Sequence, residues 1–184
     1  MNQVLIALGS NVEKEKNVPA ALALLRAQPA IAICAVSPLY ETIPIGGDGN
    51  PSSQPAFHNG ALLVETALSP AALHDLLRQI EAQLGRTRSA DKFAARPIDL
   101  DIAVVRQWAT DAGGAQMPDT VVPENVQADP DILRFIHLSV PLADLAPDWI
   151  VPQTGETLHH VAERHRVENC EQDSQIPRKI RESI

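Results

Sequence analysis

Polar and apolar positions alternate strictly from Pro97, with Ile98, Leu100 and Ile102 to one side and Asp99, Asp101 and Ala103 to the other. That two-residue period predicts a half-buried strand with Pro97 as its first residue and both carboxylates on one face. A continuous apolar run over residues 4–8 ends in Gly9-Ser10-Asn11 and predicts a buried strand entering a turn. Val18, Ala21, Leu22 and Leu25 recur at helical spacing, with Asn17 placed to cap them, Pro19 in the first turn and Pro29 past the end. Residues 31–40 predict a second strand, which stays extended around Pro44, and residues 57–66 predict a third. Between them, 46–55 carries turn formers at nearly every position and predicts a long mobile loop. Ser69-Pro70 opens a second helix, striped by Leu73, Leu76, Leu77, Ile80 and Leu84 and closed by Gly85. After the aspartate strand the pattern weakens. Residues 107–133 predict an irregular excursion, apolar content returns over 136–146, 156–166 predicts a short helix, and 167–184 predicts a loosely held tail.

The order strand, helix, strand, strand, helix, strand is the split βαβ pattern. The expected class is therefore α+β, a ferredoxin-like antiparallel sheet with helices packed on one side and a C-terminal extension. At 184 residues and 45% hydrophobic, the chain is sized for one domain, taken as residues 1–166. Cys34 and Cys170 have no metal-ligand spacing and read as free thiols in a reducing compartment. The N-terminal apolar run is too short for a signal peptide and no stretch reaches membrane-spanning length, which predicts a cytoplasmic protein with no membrane partner. A pI near 5.1 argues against a nucleic-acid partner.

One island runs against that acidity. Arg86, Arg88, Lys92 and Arg96 against Asp91 give residues 86–96 a net +3 (four minus one) in a chain of net −8. The island abuts the carboxylate pair, whose Cα atoms lie about 6.5 Å apart on a strand. Two like charges at that spacing call for positive charge between them. Hard Mg²⁺ takes oxygen ligands from one or two carboxylates plus substrate phosphates, while arginine takes the remaining phosphate oxygens, so the combination suits a polyphosphate. The same residues also fit a solvated strand face salt-bridged to its neighbouring loop.

Five blocks occur in an order and spacing that resemble the 6-hydroxymethyl-7,8-dihydropterin pyrophosphokinase family. They are Ala7-Leu8-Gly9-Ser10-Asn11, Ser37-Pro38-Leu39-Tyr40-Glu41-Thr42-Ile43-Pro44, Gln54-Pro55-Ala56-Phe57-His58-Asn59, Ile80-Glu81-Ala82-Gln83-Leu84-Gly85-Arg86 and Arg96-Pro97-Ile98-Asp99-Leu100-Asp101. The resemblance covers residues 3–105 best. It implies a ferredoxin-like enzyme, acting as a monomer, that transfers pyrophosphate from ATP to the pterin with two Mg²⁺ ions. By position it implies Asp99 and Asp101 as metal ligands; Arg86, Arg88 and Arg96 as catalytic; Glu81, Arg88, Arg96 and Arg134 at ATP; and Thr42, Pro44, Phe57, Asn59 and His137 at the pterin. Phe57 and Asn59 alone would also suit a core aromatic and a strand-end turn residue. Departures cluster later in the chain: Pro123-Glu124 stands where the family has Pro-His, His137 where it has a ring-stacking Phe, Phe93 where it has a tryptophan, and Ser89 in place of a cation. Those losses keep open a pterin- or nucleotide-binding sensor, and a plain regulatory module of the same fold.

Overall fold

Residues 4–8 are apolar in succession because the strand they form, β1 (Asn2–Ser10), is buried on both faces at the middle of a seven-stranded sheet. The computed structural model describes residues 1–44, 46, 50–87, 94–107, 126–169 and 178–181. After β1 come α1 (Lys14–Arg26), β2 (Ile31–Val36), β3 (Leu39–Thr42), β4 (Phe57–Thr66), α2 (Pro70–Gln83) and β5 (Asp99–Gln107). Then follow β6 (Val126–Ala128), a 3-10 turn at Pro130–Leu133, α3 (Ile136–Leu145), the small hairpin β7 (Ile150–Val151) and β8 (Glu156–Thr157), α4 (Leu158–Asn169) and β9 (Arg178–Arg181). The sheet runs β6-β5-β1-β4-β3-β9, with β2 also on β4, and its pairings are antiparallel.

Alternation along β1 and β5 sends side chains into two cores. Val4, Ile6, Leu8, Ile98 and Leu100 pack with Val18, Leu22 and Leu25 of α1 and Leu73, Leu77 and Ile80 of α2. Leu5, Ala7, Ala103 and Tyr40 pack on the other face with Val140 and Leu142 of α3 and Val161 and Ala162 of α4. The ferredoxin-like sheet holds, but helices on one side only does not: the 136–146 stretch and its successor fold back as α3 and α4 over the second face. Their apolar content had no other surface on which to be buried.

Several local expectations change: the strand expected over 31–40 is divided into β2 and β3, and the excursion 107–133 contains β6 and the 3-10 turn. The helix starts at Lys14, not after Asn17: the Lys16 and Asn17 backbone amides both donate to the Glu13 carbonyl, Glu13 takes φ 43, and Asn17 Nδ2 of the side chain donates to the Val12 carbonyl at 2.7 Å. Pro19 therefore lies inside α1, on its exposed side. β5 begins at Asp99, leaving Pro97 in the bend before it. Of the expected tail, 167–169 complete α4 and Arg178–Arg181 pair with β3. By contrast α2 starts as read, with Ser69 Oγ accepting from the Ala72 amide at 3.2 Å, and Gly85 follows its end at φ 84. Among the described residues no helix is long and apolar enough to cross a membrane.

Candidate active site

Register brings the two halves of the site together. Gly9 of β1 stands opposite Asn59 of β4 on one side and Asp99 of β5 on the other. Asn59 and Asp99 are therefore two strand spacings apart, about 9–10 Å. Gly9 has no side chain between them: a Cβ there would meet Asn59 Oδ1 at 3.2 Å, with Asp99 Cβ and Phe57 Cδ1 at 3.9 Å. The row lies on the face that carries the α3–α4 core.

The acidic half is heavily paired. Arg86 bonds to both Glu81 and Asp99, and Arg96 bonds to the other oxygen of Asp99. Burial opposes the charge of Asp99, but Arg96 and Arg86 outweigh it and hold its pKa below the ordinary value. Arg86 is likewise held in its charged form, since Asp99 and Glu81 overcome the cost of its burial. Asp101 opens to solvent on one side. Even so, lost hydration, then the Asp99 charge and hydrogen bond and the Glu81 charge, push its pKa up to about 7. Such an excess of carboxylate oxygens suits a divalent cation, which would lift that pressure. All donors in the pair are oxygens, as Mg²⁺ prefers. Among the described residues no third His, Cys, Asp or Glu completes a metal cage, so phosphate oxygens and water would fill the remaining positions. Glu81 is 2% exposed, and its Oε1 accepts from the Leu100 amide at 2.8 Å, between the two aspartates. It ties β5 to Arg86.

In the other half, Thr42 Oγ1 accepts from Asn59 Nδ2 at 2.6 Å, which leaves Asn59 Oδ1 aimed at the Gly9 gap. Phe57, half-buried, pairs with Thr42 across β3 and β4. Pro44 is buried, and its carbonyl accepts from the Ser52 amide at 2.8 Å. Lys14 ties the area to α1, donating to Glu41 at 2.9 Å and to the Ala56 carbonyl at 2.7 Å. The Lys14 hydrogen bond is the main reason the Glu41 pKa is lowered.

Asn11 was not singled out from the sequence as a site residue, although it closes the first quoted block. It is 2% exposed, and its amide bridges two segments: Nδ2 donates to Gln54 Oε1 at 3.1 Å and to the Pro55 carbonyl at 3.3 Å, while Oδ1 accepts from the Arg96 amide at 2.8 Å. Ser10 Oγ donates to the Pro97 carbonyl at 2.5 Å. The Gly-Ser-Asn turn was the available signal.

His137 and Arg134 differ in placement. The half-buried His137 ring stacks on Phe135 with centroids 5.3 Å apart. Its environment includes Arg96, and burial above all lowers its pKa to about 4, so the ring is neutral. Arg134 is exposed, bonds to Asp131 Oδ1 at 3.0 Å and lies over Phe135 at 5.1 Å. Arg88, Ser89, Phe93, Pro123 and Glu124 lie outside the described residues.

The family described as 7,8-dihydro-6-hydroxymethylpterin-pyrophosphokinase (HPPK) matches residues 5–147. A 2-amino-4-hydroxy-6-hydroxymethyldihydropteridine pyrophosphokinase of Pseudomonas aeruginosa is 37% identical over 154 residues, covering 83% of this chain and 85% of that one. One of the same name from Methylorubrum extorquens is 33% identical over 165 residues, covering 86% and 90%. Among solved structures, a Plasmodium falciparum HPPK-DHPS superposes with a TM-score of 0.62 at 14% identity over 94% of this chain. That likeness speaks for the fold alone, and this chain spans 45% of the longer protein.

Proposed function

This chain belongs to the 7,8-dihydro-6-hydroxymethylpterin-pyrophosphokinase family, and we propose that its two half-sites divide that family's reaction between them. The activity is transfer of pyrophosphate from ATP to 6-hydroxymethyl-7,8-dihydropterin in folate synthesis. Thr42, Phe57 and Asn59, backed by Pro44, hold the pterin: Phe57 offers a flat face, and the fixed Asn59 amide presents an acceptor to the amidine edge. The neutral ring of His137 would serve the pterin as a flat stacking partner in place of a phenylalanine. Asp99 and Asp101 would hold two Mg²⁺ ions together with the triphosphate. Bound there, the ions would supply Lewis-acid charge to phosphate oxygens during transfer. Arg86 and Arg96, relieved of neutralising Asp99, donate to the phosphate oxygens, and Arg88 joins them from the same segment. The chain's net charge of −8 supports the absence of a nucleic-acid partner.

The observation that carries this reading is the row Asn59-Gly9-Asp99, which sets the Asn59 amide and the carboxylate pair on one sheet face about 9–10 Å apart. The experiment is AMP release from ATP and Mg²⁺ with and without the hydroxymethyl dihydropterin. AMP should appear only when the pterin is present, and Asp99→Asn or Asp101→Asn should lower turnover by about a thousandfold or more while leaving the fold intact. Pterin and nucleotide binding without AMP would instead identify a sensor.

A further inference from the structure

We propose that the C-terminal strand β9 is a positioning element for the pterin half of the site, holding β3 where the Thr42 hydroxyl meets the Asn59 amide. This rests on the reading of Thr42, Phe57 and Asn59 as the pterin pocket. β3 is four residues long. On its inner side Tyr40, Glu41 and Thr42 stand opposite Asn59, His58 and Phe57 of β4. On its outer side Leu39, Tyr40 and Glu41 stand opposite Arg181, Lys179 and Arg178 of β9. A strand this short, running straight into a long loop at its C-terminal end, would otherwise present an unpaired edge. Such an edge is among the first parts of a fold to open.

Charge favours the same seating. β9 brings Arg178, Lys179 and Arg181 together in four residues of a chain with net charge −8, and places Arg178 beside Glu41, the carboxylate already held by Lys14. Tyr40 anchors β3 from below: its hydroxyl donates to Asp144 of α3 at 2.6 Å. β3 is thus fastened on three sides, and what those fastenings share is the orientation of Thr42, whose hydroxyl fixes the Asn59 amide. The family match ends at residue 147, so β9 lies beyond the matched segment.

Two variants test this, the chain ended after Asn169 and the full chain carrying Lys179→Pro with Ile180→Pro. Leu39 faces Arg181 and Tyr40 faces Lys179, so β9 is irregular at Ile180, and prolines at both 179 and 180 strip the amides at the centre of its pairing with β3. In both variants amide exchange across residues 39–42 should accelerate about tenfold or more while α2 is unchanged. KM for the dihydropterin should rise about tenfold, with KM for ATP within about twofold. Unchanged exchange in β3, or equal shifts in both KM values, would overturn the proposal. If truncation alone unfolds the protein, the double-proline chain carries the test. If the unaltered chain releases no AMP, it is the pyrophosphokinase reading that fails, and the exchange of β3 still decides whether β9 holds it.

Discussion

Gly9 and Asn59 show how little room separates the two halves of the site. A methyl at residue 9 would lie 3.2 Å from Asn59 Oδ1, tighter than ordinary contact, so the amide must shift and lose its alignment. Gly9→Ala should therefore raise KM for the pterin by about tenfold while moving KM for ATP less, as steady-state kinetics with each substrate varied would reveal. Retained pterin affinity would mean that the gap is not where the ring binds. His137 makes a pH prediction. Its pKa falls from 6.5 to about 4 on folding, so the unfolded chain takes up its proton first as pH drops. The neutral ring's contribution is complete above pH 6.5 and is lost as pH falls toward 4. His137→Gln should flatten the decline in stability across that window, as urea titrations at stepped pH would show. A parallel decline would assign it to other groups. The strand face of Asp99 and Asp101 was legible from alternation alone. Asn11 and Gly9 were not ranked as site residues, because their importance lies in what stands opposite them.

Elements with strong periodicity were read well, and those held by remote contacts were not. Ser69-Pro70 and Gly85 mark the ends of α2 because caps are local chemistry. α3 has a proline inside it and an apolar, nearly unpatterned sequence, so it is a helix largely because the second sheet face needs covering. Its seam with α4 includes one buried polar chain. His165 Nε2 lies 3.0 Å from the Leu133 carbonyl and must carry the proton there, so Nδ1 accepts from Ser139 Oγ at 2.8 Å. Both residues are at most 3% exposed. Ser139→Ala would strand a buried acceptor and should cost about 1–3 kcal/mol, lowering the urea midpoint without changing turnover in native conditions. A loss below about 0.5 kcal/mol would show that water replaces the hydroxyl.

At the scale of the whole molecule, Asn11 joins the two loop ends that flank the site. One amide bonds to Gln54 and Pro55 at the end of the first loop and to Arg96 at the end of the second. Removing it should let each loop settle independently. If the two loops couple nucleotide and pterin binding, Asn11→Ala should reduce by about five- to tenfold the factor by which one ligand tightens the other. Calorimetric titration of each ligand with and without the other measures that factor. An unaltered factor would place the coupling elsewhere.

By itself the sequence determined the α+β class, the first two helices, the strand face of the aspartates and the basic segment beside it. These follow from local period, capping chemistry and charge, each of which acts within a few residues. Tertiary structure decided the rest. It set Asn59 and Asp99 on either side of Gly9, turned Glu81 inward to the Leu100 amide, and brought residues 178–181 back to β3. Each of those outcomes depends on strand register, where a shift of one residue moves every side chain to the opposite face. Register is fixed by contacts between segments far apart in the chain.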